Sequence, residues 1–370
     1  MPQTVGWDWV LRPASRPFLC DRSRVAFLVA STVNESSVMK LALSSLARAA
    51  VTLALTAAAA GAVSAQANKP AVIFDMGGKF DKSFNQSAFD GAEQWKKDSG
   101  KTYLEFEISN DTQRVQAIRR MAERGASPII SIGFAQASAL AQVAKEFPKT
   151  HFAIIDAVVD APNVQSLLFK EHEGSYLVGA MAVLASKTGK VGFVGGMDIP
   201  LIRKFQCGYE QGAKATNPKA EVFSNMTGTT STAWNDPTRG GELAKAQFAK
   251  GSDVVFAAAG STGTGVYQAA KDAGKLAIGV DSNQNGVQPG TMLTSMVKHV
   301  DVAVYNALKA WKPGIQVLGL KEGGVDYAMD ANNAKLVTPA VKAKIDAIKA
   351  DIVSGKIKVV DYLADNACKF

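Results

Sequence analysis

Histidine and cysteine are scarce in this chain of 370 residues, and their scarcity excludes much chemistry. The three histidines, His151, His172 and His299, stand far apart, and none sits in a nucleophile-elbow or zincin context. No catalytic triad and no convincing acid–base pair can be assembled, so the chain does not read as an enzyme and calls for neither cofactor nor metal. Of the three cysteines, only Cys207 and Cys368 fall in the part that reads as folded. They can pair in an oxidising compartment, but sequence alone leaves their separation open. Blocks of like charge are also lacking. Lysine and arginine number 41 against 33 acidic residues; setting aside the six basic and three acidic residues of 1–65 leaves 35 against 30. This mild excess is spread along the chain and has no nucleic-acid footprint. Long apolar runs are missing too. The stretch Ala49–Gly61 falls short of the roughly 20 residues that span a membrane, and nothing later is apolar for as long.

That stretch has another reading. Met39 and Lys40 begin a basic head, the apolar middle follows, and Val63-Ser64-Ala65 forms a small-residue exit. Together they predict a secretory signal peptide over 39–65, cleaved before Gln66. Residues 1–38 show no periodicity and read as a non-native upstream extension ahead of a true start at Met39. No cysteine directly follows the cleavage position, so the expectation is a soluble periplasmic protein without a lipid anchor.

From Ala71 onward, short apolar runs alternate with helical patterns. Strands are expected at Val72–Phe74, Thr102–Glu107, Pro128–Ile132, Phe152–Ile155 and Val164–Phe169. A helix is expected at Glu173–Ala185, after which the cycle restarts at Val191 and continues to Val280. The alternation predicts an α/β fold with parallel sheets covered on both faces. Length favours two lobes over one sheet. With no Pro/Gly/Ser linker between them, short crossover segments would serve as hinges. The expected division is 69–172 with about 300–332 in one lobe, and 173–299 with about 333–366 in the other.

In open α/β sheets, ligands bind beyond the carboxyl ends of the strands. Those positions hold Asp75, Asp156, Gly260 and Asp281. Any one aspartate there has an ordinary explanation as a turn residue or helix cap; their recurrence points to a site. Phe84 opens the first helix and Trp234 lies in "STAWNDP", one aromatic for each lobe, suited to holding a flat ligand. "GSTGTG", Gly260 to Gly265, lacks the Lys-Ser/Thr ending of a phosphate loop. "EHEG", Glu171 to Gly174, reads as the start of the crossover helix, since neighbours in a strand would point to opposite faces and could not close on one ion.

Several segments together carry a resemblance: Asp75 with "DKSFNQSAFDGAEQW", "VGFVGGMDIPLIRKFQCGYEQGAKATNP", "WNDP", "AAAGSTGTGV", "GVDSNQ" and "SMVKHV". Over nearly the whole mature chain the sequence resembles the basic membrane protein family, substrate-binding proteins of ABC transporters similar to purine nucleoside receptor lipoproteins. The resemblance implies a type I periplasmic binding protein, with two Rossmann-like lobes, three crossovers and a ligand in the cleft. It implies a base held between Phe84 and Trp234, with Asp75, Asn85 and Asp156 at the base edge. Gly260, Asp281 and Lys298 would lie near the ribose. Three aspartates against one lysine suit a neutral nucleoside or nucleobase better than a nucleotide. The expected protein is a monomer that hands its ligand to an ABC permease. A nucleoside-processing enzyme using Asp75 or Asp281, and a receptor signalling to a membrane partner, are the alternatives.

Overall fold

Ala71 to Phe74 contains no polar residue because both faces of this strand are covered. Val72 and Phe74 enter one apolar layer, Ala71 and Ile73 another, and all four are fully buried. The computed structural model describes residues 69–368, which lie in one compact unit. The expected upstream extension and signal peptide fall outside the described residues.

In the first half, β1 (Ala71–Phe74), α1 (Phe84–Ser99), β2 (Leu104–Glu107), α2 (Arg114–Glu123), β3 (Ile129–Ser131), α3 (Ala137–Glu146), β4 (Phe152–Ile155) and β5 (Val164–Phe169) alternate as the periodicity predicts. Then come α4 (Glu171–Ala185), β6 (Lys190–Met197), α5 (Pro200–Thr216), β7 (Glu221–Gly228), α6 (Pro237–Ala249), β8 (Val254–Ala258), α7 (Gly263–Asp272) and β9 (Leu276–Asp281). The remaining elements are β10 (Met292–Lys298), α8 (Val300–Ala310), β11 (Gly314–Leu318), β12 (Val325–Tyr327) and α9 (Pro339–Val353).

The strands form two six-stranded sheets, ordered β11-β5-β4-β3-β1-β2 and β12-β10-β9-β8-β6-β7. The first is parallel throughout, with Ala71 opposite both Leu104 and Ile129; in the second only β12 runs antiparallel to its neighbour. Two parallel-sheet lobes are what the resemblance implies. The chain passes between the sheets after β5, after β10 and after β11. One expected boundary changes. The expected first lobe extends to about residue 332, but β12 bonds to β10, with Lys298 opposite Val325. Its three residues carry too little pattern to announce which sheet they complete.

One apolar core runs from Val72 and Phe74 through Leu177 and Met181 of α4 to Phe193 and Phe256 of the second sheet. Separate clusters cover the outer faces, around Ile118 and Leu140 in one lobe and Val266 and Tyr267 in the other. In each sheet the strand order reverses beside the first strand of the lobe, between β3 and β1 and between β8 and β6. Those switch points open a crevice at the carboxyl ends.

Candidate functional site

Asp75 is the first residue beyond β1, and the chain around it is held from three sides. Asn85 Oδ1 accepts from the Asp75 backbone N–H at 3.1 Å, and Asn85 Nδ2 donates to the Asp75 carbonyl at 3.2 Å. The Asp81 carboxylate caps α1 by accepting from the backbone N–H groups of Ser83, Asn85 and Gln86. The Asp75 carboxylate accepts at Oδ1 from Met76 N and from Arg114 Nη2, at 2.9 and 3.0 Å. Its Oδ2 passes over Gly133, where a Cβ would lie 2.5 Å away. Gly133 also has φ of +99°, so this turn after β3 admits glycine on two counts.

Asp156 follows β4 with φ of +69°, and Asp281 ends β9 with φ of +62°. The left-handed region is uncommon outside glycine, and aspartate is among the residues that tolerate it. The two strand ends thus present matching aspartates from opposite lobes. Lys298, at the end of β10, reaches between them. Its Nζ lies 2.6 Å from Asp156 Oδ2 and 2.9 Å from Glu171 Oε1, and over the Phe84 and Phe169 rings at 5.2 and 4.9 Å. Glu171, in the first turn of α4, also pairs with Lys204 at 2.9 Å, and Lys204 donates to the Phe169 carbonyl. Asp156 Oδ1 is buried without a hydrogen-bond partner.

Burial pushes Asp156 and Asp281 up to about 6, against the pull of Lys298 on both. Asp81 is likewise raised to about 6 by burial, against the backbone donors that it caps. Burial acts to lower Lys298, but Asp156, Glu171 and Asp281 outweigh it and hold the ammonium above the usual lysine range. The cation of the cluster is thus shared between two carboxylates, Asp156 and Glu171.

The second lobe contributes Trp234 from a short turn ahead of α6. Thr262 fixes that turn: its hydroxyl donates to the Ala233 carbonyl and accepts from Asp236 N. The indole lies against Gly196 at the end of β6, where a Cβ would come within 2.2 Å of the ring. The lobes also touch directly. Ser83 Oγ donates to Asp281 Oδ2 at 2.7 Å, Ser282 Oγ donates to the Ser83 carbonyl at 2.8 Å, and Gln284 Nε2 donates to the Lys82 carbonyl at 2.7 Å.

Between the lobes lies a cavity of about 70 Å³, walled by residues of both sheets. Asp75, Phe84, Asp156, Trp234, Gly260, Asp281 and Lys298 all line it. Asn85 does not: it is buried, and both ends of its amide are spent on the Asp75 main chain. Sequence reasoning missed Asp81, Phe134 and Phe205, which also line the cavity. Phe134 follows the end of β3, so a reading of every strand end would have found it. It also missed Arg114 and Glu171, which stand behind the lining. As expected, the residues of "EHEG" begin the crossover helix, and Glu171 turns its carboxylate to the two lysines. Among the described residues no cluster of metal-ligating side chains occurs.

This geometry has relatives. A family profile described as ABC transporter substrate-binding protein PnrA-like matches residues 68–362. The chain belongs to the basic membrane protein family. Its members are the substrate-binding proteins of ABC transporters, which take up a small molecule and deliver it to a permease. The ABC transporter nucleoside-binding protein BmpA of Lactococcus lactis subsp. cremoris is 34% identical over 319 residues, covering 79% of this chain and 88% of that one. An uncharacterized lipoprotein of Pyrococcus furiosus is 37% identical over 283 residues, covering 70% and 69%. The crystal structure of an ABC transporter system solute-binding protein from Aeropyrum pernix K1 superposes with a TM-score of 0.73 at 29% identity, covering 79% of this chain and 93% of that one.

These relatives correct the expected localisation. The family includes proteins named as lipoproteins, which points to lipid anchoring rather than to a receptor free in the periplasm. The expectation of a free receptor rests on the lack of a cysteine directly after Ala65, a position outside the described residues.

Proposed function

We propose that this substrate-binding protein takes a purine nucleoside or free purine base between its lobes and passes it to the permease as a monomer. The observation that carries this reading is the cavity itself. Aromatic side chains Phe84 and Trp234 line it together with Asp75, Asp156 and Asp281. Among the described residues lining it, Lys298 is the only cation, and Asp156 and Glu171 already share its charge. Such a site suits a flat, neutral ligand rich in N–H and O–H donors, and it offers a phosphate no uncommitted cation. Asp156 Oδ1, buried and without a partner, supports a ligand donor there, because an unmet buried acceptor is costly. The lactococcal relative, named as nucleoside-binding, supports the same class.

The test is calorimetric titration of ligand-free protein with adenosine, guanosine, inosine, hypoxanthine and adenosine monophosphate. Binding of one or more nucleosides or bases, with the nucleotide much weaker, is expected. Equal or tighter binding of the nucleotide would overturn the charge argument, and no binding of any purine would overturn the assignment. Release of hypoxanthine from inosine on incubation would instead establish the enzymatic alternative.

A further inference from the structure

Arg114 lies outside the cavity lining, yet it touches the aspartate that begins the site. It is the first residue of α2, which starts beside the carboxyl end of β1 because β2 and β1 are neighbours in the sheet. The side chain is buried, and its guanidinium lies between two carboxylates. Nη2 donates to Asp75 Oδ1 at 3.0 Å, and Nη1 donates to Asp111 Oδ1. The contact with Asp75 reaches one oxygen only. Met76 N holds that same oxygen, and the Asn85 amide holds the Asp75 main chain on both sides. What is left is Oδ2, which has no hydrogen-bond partner among the described residues and faces the turn at Gly133 on the cavity wall.

We propose that Arg114 is a positioning residue for ligand binding: it keeps Asp75 ionised and turned so that Oδ2 alone is offered, as a pure acceptor, to a donor on the ligand. The proposal rests on the reading of Asp75 as a ligand contact. The charged groups facing Asp75 are Arg114 from α2 and Asp111 from the turn before it; Asn85 from α1 and Gly133 from the turn after β3 add no charge. Burial already raises the Asp75 carboxyl, and Met76 N and Arg114 work against it. Without the guanidinium, burial and Asp111 act unopposed by any side-chain cation. The carboxyl then holds its proton to higher pH than in wild type and presents a hydroxyl where the ligand brings a donor.

The consequence is a new pH dependence. Wild type should bind guanosine and adenosine with a shallower pH dependence between about pH 6.5 and 8 than Arg114→Met. Arg114→Met should bind more weakly at the lower end and recover roughly 10-fold for each pH unit while Asp75 titrates. Arg114→Lys, which restores a charge without the planar fork, should show a smaller change in the same direction. A carbon-13 titration, with the Asp75 carboxyl assigned through its loss in Asp75→Asn, reads the same event without ligand; its midpoint should move up in Arg114→Met. Should Arg114→Met not fold, the lysine variant carries both measurements. Lower thermal stability with an unchanged affinity profile and an unchanged carboxyl midpoint would overturn the proposal, leaving Arg114 as a brace for α2. Wild-type affinity in Asp75→Asn would instead overturn the reading of Asp75 as a contact, so the two failures are distinguishable.

Discussion

Lys298 is the residue on which the two lobes and the cavity depend together, and replacing it with methionine removes the charge while keeping an unbranched apolar stem of similar reach. Its ammonium lies 2.6 Å from Asp156 Oδ2 and 2.9 Å from Glu171 Oε1, and none of the three side chains is more than 5% exposed. Removing one partner of a buried pair costs about 3–5 kcal/mol, because a buried charge remains uncompensated. Glu171 retains Lys204 at 2.9 Å, so the loss falls on Asp156. Asp156 can relieve it by taking a proton, and burial already sets its carboxyl at about 6 even with Lys298 present. In the variant its folded-state value rises further above that of the unfolded chain. The folded state then binds more protons than the unfolded state, and stability falls as pH rises through that wider window. The deficit relative to wild type should therefore be large near about pH 7.5 and shrink towards about pH 5. Urea unfolding of both proteins at the two pH values measures it. Lys298→Met/Asp156→Asn removes the orphaned charge and should regain most of the loss. A deficit below about 1 kcal/mol at the higher pH, as for an exposed pair, would refute the reasoning. So would a larger deficit that is equal at both pH values and is not rescued by Asp156→Asn.

Phe84→Ala and Trp234→Ala should each weaken nucleoside binding by about 1–3 kcal/mol, the range for aromatic stacking on a base; a lowered melting temperature of the empty protein with calorimetric affinity intact would show that the rings serve the core alone. Asp156 and Asp281 are raised to about 6 from 3.8, so their stabilising effect on the empty protein is present below 3.8 and is lost as pH rises through about 6. Ligand donors need the ionised forms, so nucleoside affinity should fall below about pH 6; calorimetry that finds affinity constant down to about pH 5 would contradict this. Cys207 and Cys368 form a disulfide across 161 residues, tying the C-terminal segment to α5. Replacing both by serine should cost about 2–5 kcal/mol in urea unfolding, and an unchanged urea midpoint would mean that the C-terminal segment holds without it.

Much of this architecture is local, and the sequence determined that part by itself. Runs such as Ala71–Phe74 and Phe152–Ile155 are short, apolar and followed by a helical period, which is enough to specify parallel strands buried on both faces. A strand end is also a local feature, so Asp75, Asp156, Gly260 and Asp281 could be named before any fold was known, and all four line one cavity. The clear alternation of apolar runs and helical patterns ends at Val280. Beyond it β10 carries Thr294, Ser295 and Lys298, and β12 has only three residues, so neither shows a clean apolar run. What tertiary structure alone decided is which groups meet. Lys298 is 142 residues from Asp156, and Arg114 is 39 from Asp75. Asn85 shows the same limit at short range. It stands where a ligand contact is expected, but the turn between β1 and α1 brings its amide onto the Asp75 backbone. Periodicity records which face of an element is apolar. It carries no term for the partner that a buried charge or amide finds once two lobes close around it, because that partner is set by packing between segments far apart in the chain.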